Sequence, residues 1–187
     1  PIKSLCVRPT GGGKTLLFTT TAAALKGITL CILPLLSLGA DQVKKLIDTT
    51  QQSAKFITGF HLDELPLSQH ENLINLLKSY DTRNRTVILF CSPQSLLRIN
   101  SPVLPYLLSD LAPLSMIVMD EIHLACHFGK SFRKEFSALK SALFQKIDES
   151  IPLLFLTATC TNRIKSSFES LMGVEITSVH WPSSLDM

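Results

Sequence analysis

The segment SLCVRPTGGGKT, residues 4–15, decides the fold of this chain. Its apolar start predicts a short strand at 4–8, and the periodic apolar pattern after it predicts a helix. Between the two lie Gly11, Gly12 and Gly13, and consecutive glycines let the backbone wrap closely around a ligand. The first N–H groups of the helix then point at one place, where they favour an anion such as phosphate.

Two side chains of this loop add ligands for a nucleotide. Lys14 supplies a mobile cation for phosphate oxygens, and the hydroxyl of Thr15 can hold Mg²⁺. Thr10 belongs to the same predicted nucleotide site. Arg8 stands where the strict form of the pattern has glycine, so the loop is a variant of that pattern. A plain glycine-rich turn would leave the adjacent Lys14 and Thr15 unexplained.

A second segment, MIVMDEIH at 116–123, is an apolar strand that ends in two carboxylates. Asp120 is a candidate ligand for Mg²⁺ at the strand's carboxyl end, and Glu121 is a candidate to orient or deprotonate an attacking water. Two adjacent acids could also be a solvated turn. The phosphate-binding pattern about one hundred residues upstream favours the catalytic interpretation.

Short β-rich apolar runs alternate with helical patterns along the chain, which predicts an α/β domain. We expect one domain over residues 1–187, with a mostly parallel central sheet and helices on both faces. The predicted strands are 4–8, 28–33, 86–91, 115–119, 152–156 and 174–178. The predicted helices are 14–25, 37–49, 68–79, 93–98, 103–110, 131–147 and 161–171. The polar stretch at 48–68 and the residues 84–86 are predicted loops.

Composition excludes several classes of protein. The longest apolar stretch, 30–40, is interrupted by Pro34 and falls short of the roughly 20 residues that cross a bilayer. The five cysteines are odd in number and never form CxxC, so neither a disulfide framework nor a zinc site is indicated and a reducing, intracellular compartment is favoured. The net charge of +3 neither demands nor excludes nucleic acid. The N-terminus lacks a signal peptide and an initial Met, so we interpret the chain as a fragment or an excised domain.

The series of motifs resembles the RecQ family of superfamily 2 helicases over nearly the whole chain. The matching segments are PTGGGKT at 9–15, ILPLLSLGADQV at 32–43, CSPQSLL at 91–97, DEIH at 120–123 and LTAT at 156–159. HFGKSFRKEF at 127–136 is similar to the aromatic-rich loop that distinguishes RecQ enzymes from other helicases. The conjunction of these motifs is far more specific than any one of them.

The resemblance implies the first RecA-like lobe of an ATP-dependent 3′-to-5′ DNA helicase, with ATP and Mg²⁺ as cofactors. It implies single-stranded or partly duplex DNA and a second RecA-like lobe as partners, and a nuclear location if the organism is a eukaryote. The second lobe would supply an arginine finger, and such a finger contributes roughly 10³ to 10⁵ in rate. We therefore expect residues 1–187 alone to be nearly inactive.

The resemblance also implies roles in DNA contact or coupling. In the family, the aromatic-rich loop couples contact with single-stranded DNA to ATP hydrolysis, and His123 of DEIH links the nucleotide site to LTAT. The residues implied in DNA contact or coupling are Phe128, Arg133, Ser92, Pro93, Thr157 and Thr159.

Several positions in these motifs depart from the family pattern. Phe128 replaces the usual Trp, Lys130 the usual His, and Gln94 a Glu. The first two changes affect the coupling loop itself. Further along, Phe136, Leu139 and Leu143 recur at helical spacing, which predicts packing against the sheet rather than contact with DNA.

Two other kinds of protein are compatible with part of the sequence. A P-loop ATPase or kinase unrelated to nucleic acid would explain the two phosphate-site motifs, but it would leave 32–43, 91–97 and 127–136 unexplained. A truncated or degenerate helicase lobe could instead act as a nucleic-acid-binding or protein-binding module. DNA-stimulated ATP turnover by a chain that also carries the second lobe separates these alternatives.

Overall fold

A computed structural model describes residues 2–33, 44, 57–81, 84–127 and 130–181. Within this part of the chain, strands and helices alternate. The strands are β1 Lys3–Val7, β2 Gly27–Ile32, β3 Ile57–His61, β4 Thr86–Cys91, β5 Leu114–Met119, β6 Leu153–Thr157 and β7 Ser178–His180. The helices are α1 Lys14–Leu25, α2 His70–Ser79, α3 Pro93–Leu96, α4 Val103–Leu107, α5 Ile122–His127, α6 Lys130–Leu139 and α7 Asn162–Met172. A π-helical turn, Lys140–Phe144, follows α6, and two 3₁₀ turns, Leu62–Glu64 and Leu67–Gln69, precede α2.

The strands form one sheet in the order β3-β4-β2-β5-β6-β1-β7, and each described pair of neighbours is parallel. The prediction of an α/β domain with a mostly parallel sheet is confirmed. In a parallel sheet the carboxyl ends of all strands lie at one edge, where ligands of open α/β sheets usually bind. Since β6 lies between β1 and β5, the loops that follow β1 and β5 flank the end of β6.

Helices cover both faces of this sheet. On one face, Phe168 of α7 packs edge-to-face against Phe155 of β6, with ring centroids 5.0 Å apart. On the other face, Phe18 of α1 contacts Phe90 of β4 in the same geometry at 6.3 Å. Every residue of β2 and β4 is buried, because both faces of these central strands are covered. This architecture accounts for the high apolar content of the chain.

Two elements were not predicted from the sequence. Strand β3 lies within the stretch 48–68, which the sequence predicts to be a loop. Among the described strands it pairs only with β4 and it is mostly half-buried, so its apolar pattern is weak. Helix α5 begins directly after the acid pair of DEIH and is only six residues long, too short to show helical periodicity. Short elements of this kind are fixed by contacts distant in sequence.

Other boundaries moved by a few residues. Strand β7 begins at Ser178 instead of 174, and the apolar residues Val174 and Ile176 are buried outside any strand. The helix predicted at 131–147 divides into α6 and the π-helical turn. The helix predicted at 37–49 lies outside the described residues, apart from position 44, which is helical.

The predicted core positions of α6 and its extension are confirmed. Phe136 is 1% exposed, and Leu139 and Leu143 are fully buried. All five cysteines are free thiols, and three of them are buried. No helix in the described ranges is long and apolar enough to cross a membrane.

Truncating Phe136 should destabilise the fold strongly, because a buried phenylalanine leaves a cavity when it is shortened. We expect Phe136→Ala to lower the free energy of unfolding by about 3–5 kcal/mol in urea denaturation. Ile99→Ala is the control, since Ile99 is 82% exposed, and a change within about 0.5 kcal/mol is expected there. Equal losses in the two variants would contradict the placement of α6 against the sheet.

Candidate active site

The glycine loop between β1 and α1 has a backbone that only glycine adopts easily. Gly11 and Gly13 have φ angles of +80° and +77°. Gly12 donates its N–H to the carbonyl of Pro9 at 2.9 Å, and a Cβ on Gly12 would lie 2.9 Å from that same oxygen. Gly13 caps α1 through its backbone, and no side chain caps this helix. The N–H groups at the start of α1 are therefore left for a ligand.

Lys14 and Glu121 form an ion pair across the site. The Nζ of Lys14 donates to Oε1 of Glu121 at 3.1 Å, and the two side chains are 10% and 21% exposed. Lys14 also reaches the backbone oxygen of Arg8 at 3.5 Å. The loop after β1 and the acid pair after β5 are therefore in direct contact.

Asp120 is the most buried acid of the site, with an exposed fraction of 2%. Burial first, and the adjacent Glu121 carboxylate second, raise its pKa from the ordinary 3.8 to about 6. A hydrogen bond of 2.8 Å from the backbone N–H of Glu121, and the charge of Lys14, oppose that rise in the pKa. Burial disfavours the ionised form of this carboxyl group, and a cation bound beside it would stabilise that form.

His123 connects the acid pair to the end of β6. The hydroxyl of Thr157 donates to the carbonyl of Thr159 at 2.9 Å and lies 2.9 Å from Nδ1 of His123. A hydroxyl has one proton, so Nδ1 is the donor of the second bond. The same nitrogen lies 3.3 Å from Oε2 of Glu121. Glu121, His123 and Thr157 thus form a continuous polar chain.

A cavity of about 520 Å³ opens where these parts meet. Nine of the predicted site residues line it, together with Leu124 and Ala158: Thr10, Gly11, Gly13, Lys14, Thr15, Asp120, Glu121, His123 and Thr159. Gly12 and Thr157 do not line the cavity. Its volume lies within the range of pockets that bind ligands of nucleotide size.

The oxygen donors of the cavity fit Mg²⁺. This ion prefers oxygen ligands, and in phosphate-transfer sites it is typically held by one or two carboxylates and by the phosphates. The Asp120 carboxylate, after β5, and the Thr15 hydroxyl, in the first turn of α1, both provide protein oxygens to the lining of the cavity. Among the described residues, no group of three or more His, Cys, Asp or Glu side chains could hold a metal alone.

Ser92 and Pro93 lie outside this cavity, at the carboxyl end of β4. Ser92 accepts the N–H of Ser95 at 3.1 Å and thereby caps α3, in which Pro93 occupies the first turn. The carboxylate of Asp63 accepts both the backbone N–H of Ser92, at 2.8 Å, and its hydroxyl. Asp63 was missed from the sequence because it lies in the stretch predicted as a loop. The predicted DNA role of Ser92 and Pro93 stays a prediction.

A second contact joins α3 to α6. Nε2 of Gln94 donates to Oε2 of Glu135 at 2.5 Å. Glu135 belongs to the segment 127–136, so this bond links that segment to the CSPQSLL motif. Phe128 lies outside the described residues, and so does the side chain of Arg133. Their predicted roles in DNA contact stay predictions.

A parallel sheet with a glycine-rich loop and an acid pair at its carboxyl edge is typical of nucleotide-binding α/β domains. The sequence profile of DEAD/DEAH box helicases matches residues 3–167. The chain belongs to the DEAD/DEAH box helicase family.

Within this family, the curated relatives that match the chain are RecQ-like helicases. The chain is 32% identical over 168 residues to ATP-dependent DNA helicase Q-like 4B of Arabidopsis thaliana, covering 89% of this chain and 14% of that protein. It is 30% identical over 174 residues to the probable ATP-dependent DNA helicase RecS of Bacillus subtilis, covering 92% and 32%. The resemblance to RecQ-like helicases is confirmed. The chain spans only a minor part of the length of these relatives.

Solved helicase structures share the fold. The chain matches the crystal structure of the DUF1998 helicase MrfA with a TM-score of 0.63 at 20% identity, over 98% of this chain and 28% of that one. It matches Mss116p bound to single-stranded RNA and AMP-PNP with a TM-score of 0.62 at 19% identity, over 96% and 36%. The prediction of a RecA-like helicase fold is confirmed.

Asp120 should make the metal-free protein less stable as pH rises from about 4 to about 6. Because the folded-state pKa lies above the ordinary value, the folded state keeps a proton in this window that the unfolded state has released. Stability falls with pH wherever the folded state binds more protons. We expect the unfolding free energy of wild type, relative to Asp120→Asn, to fall by roughly 2–3 kcal/mol across this window. Urea denaturation in EDTA measures it.

Asp148→Asn is the control, because the pKa of Asp148 is shifted downward and its contribution to stability therefore changes mainly below the window from about pH 4 to about pH 6. The N–H of Ser150, at 2.7 Å, lowers the pKa of the exposed Asp148 carboxyl. The contribution of Asp148 is therefore present above its ordinary pKa and lost as pH falls. An unfolding free energy difference between wild type and Asp120→Asn that is the same at both ends of the window would contradict the raised pKa of Asp120.

Proposed function

We propose that this chain is the first RecA-like lobe, the lobe that binds and hydrolyses ATP, of a RecQ-like ATP-dependent 3′-to-5′ DNA helicase. The observation that carries the proposal is the meeting of two motifs 105 or more residues apart in one cavity: Lys14 of PTGGGKT contacts Glu121 of DEIH. Both motifs follow neighbouring strands of β6 at the edge where α/β sheets bind ligands.

Each residue of the cavity has a role in this proposal. The N–H groups around Gly11, Gly12 and Gly13 bind phosphate oxygens, and Lys14 moves from Glu121 to the phosphates when ATP arrives. The released Glu121 carboxylate then orients the attacking water. The hydroxyl of Thr15 and the carboxylate of Asp120 hold Mg²⁺, which when bound neutralises charge on the phosphate oxygens.

The end of β6 would report the state of the nucleotide site. Glu121 exchanges partners when Lys14 leaves it, and its Oε2 lies beside the His123 nitrogen that donates to Thr157. A change at Glu121 therefore reaches Thr157 through two polar contacts and Thr159 through a third. This route supports the predicted link from His123 to the LTAT motif.

DNA is the proposed partner. The names of the curated relatives describe DNA helicases, and a MrfA structure contains both DNA and AMPPNP. In this proposal Phe128, Arg133, Ser92 and Pro93 contact DNA or couple it to hydrolysis, and a second RecA-like lobe completes the enzyme. A eukaryotic protein of this kind would act in the nucleus. The Gln94–Glu135 bond supports the proposal over an ATPase unrelated to nucleic acid, because it joins two segments that phosphate binding does not require.

The nucleotide assignment is tested by removing Lys14 or the Glu121 carboxylate. Lys14→Ala should weaken binding of ATP with Mg²⁺ by about 100-fold, because a charge-assisted hydrogen bond to phosphate is lost. Glu121→Gln should keep the wild-type affinity or improve it, since Lys14 is then released from its ion pair. In a chain that carries both lobes, Glu121→Gln should also lose hydrolysis. Calorimetry and a steady-state ATPase assay measure these effects.

Lys165→Ala is the matched control for this experiment. Lys165 forms a similar ion pair with Glu169 on α7, at 2.9 Å and outside the cavity. Its removal should leave ATP affinity unchanged. Equal ATP affinities for wild type and Lys14→Ala would overturn the assignment of the nucleotide site.

The coupling assignment is tested in a chain that carries both lobes. Phe128→Ala and Arg133→Ala should reduce the stimulation of ATPase by single-stranded DNA more than they reduce the basal rate, because stacking and phosphate pairing act only on bound DNA. Gln94→Glu should have the same effect, since it places two carboxylates together at the α3–α6 contact. Adding Glu135→Gln restores a donor and should restore stimulation. Wild-type stimulation in both Phe128→Ala and Arg133→Ala would assign their segment to packing alone.

A further inference from the structure

Arg8 occupies the position where the strict phosphate-loop pattern has glycine, and its side chain turns back onto the loop. Its Nη1 donates to the backbone oxygen of Gly12 at 3.2 Å. Its own backbone is held on both sides: the N–H donates to the oxygen of Thr157 at 3.0 Å, and the oxygen lies 3.5 Å from Nζ of Lys14. These two bonds hold the backbone of Arg8 in place, and from there its guanidinium group reaches the loop.

The oxygen that Arg8 holds belongs to the peptide group between Gly12 and Gly13. This peptide is trans, so its C=O and the N–H of Gly13 point in opposite directions. Gly13 lines the cavity, whereas Gly12 does not. A donor that fixes the Gly12 oxygen on the Arg8 side consequently keeps the N–H of Gly13 turned to the other side, where the phosphates would lie.

This peptide needs an external restraint, because glycine flanks it on both sides. Glycine populates positive and negative φ about equally, so a glycine-glycine peptide rotates at little cost. Any freedom that the loop keeps before binding is lost on binding and weakens affinity. Within the described ranges Arg8 forms no ion pair with a carboxylate that would compete for its guanidinium.

We infer that Arg8 is a positioning residue for phosphate binding: it holds the Gly12–Gly13 peptide in the orientation that presents the Gly13 N–H to the nucleotide. The inference rests on the proposed ATP site and adds to it a residue outside the recognised loop pattern. Arg8 does not touch the phosphates in this arrangement. Arg8 holds the loop in the same conformation before ATP binds, in the bound state and in the transition state. We therefore expect it to affect the affinity for ATP and not the rate of the chemical step.

The test compares Arg8→Met with Arg8→Lys in the 187-residue chain. Arg8→Met keeps the length of the side chain but loses the donor, and the dissociation constant for ATP with Mg²⁺ should rise about tenfold. Arg8→Lys keeps a charged donor and should stay within about threefold of wild type. In a chain with both lobes, Arg8→Met should raise KM and leave kcat within about twofold, the pattern of uniform binding. Calorimetry and ATPase kinetics measure these quantities.

Arg85→Met is the matched control, because Arg85 is exposed and directly precedes β4, at the opposite edge of the sheet. It removes the same charge and should leave ATP affinity unchanged. If Arg8→Met does not fold, as judged by circular dichroism, Arg8→Gln replaces it; its shorter side chain cannot reach Gly12 from the same backbone, and the same loss is expected.

The outcomes separate this inference from the proposed function. If wild type binds ATP, Lys14→Ala does not, and Arg8→Met binds as tightly as wild type, the role of Arg8 is overturned while the ATP site stands. If Arg8→Met lowers kcat and leaves KM unchanged, a positioning role in binding is likewise overturned. If wild type does not bind ATP, the proposed function fails and the inference fails with it.

Discussion

The glycine loop, the acid pair and the LTAT segment are all held in place by one residue, Thr157, at the carboxyl end of β6. Its backbone oxygen accepts the N–H of Arg8, and its hydroxyl bonds both His123 and Thr159. Thr157 is fully buried, so water cannot replace these partners. Because β6 lies between β1 and β5, the glycine loop and the acid pair both contact the carboxyl end of this strand, through Arg8 and His123 respectively. Neither of them moves without disturbing the other.

Charge distribution explains why this edge of the sheet suits a nucleotide. Two carboxylates, Asp120 and Glu121, face one ammonium group, that of Lys14, in a partly buried space. Burial is the main cause of the raised pKa of Asp120, and the neighbouring Glu121 carboxylate adds to it, while the charge of Lys14 offsets only part of the rise. A phosphate chain that carries a divalent cation would provide a positive ion for Asp120 and a negative partner for Lys14. In the proposed function, the site would therefore be complementary to the metal complex of the nucleotide rather than to either component alone.

The sequence predicted the elements whose causes are local. Helix α1 has the predicted bounds, because Gly13 precedes it and Gly27, with a φ of +79°, lies just beyond its end. Strand β3 and helix α5 could not be predicted, since each is short and owes its conformation to neighbours elsewhere in the chain. The same limit applies to side-chain contacts: Asp63 with Ser92 and Gln94 with Glu135 join residues that are 29 and 41 positions apart. Motif spacing indicated which residues meet in the cavity, but not the bonds that hold the motifs in place.

At Glu121, the residue type that the proposed chemistry needs is not the one that the backbone conformation favours. Its φ of +50° lies in the left-handed region, which costs a residue with a side chain about 1 kcal/mol or more. Glycine at this position would relieve the strain and remove the carboxylate. The domain is thus less stable than its fold permits, and the loss of stability is located at the carboxylate that is proposed to orient the attacking water. Variants selected only for heat resistance would tend to lose activity first at this position.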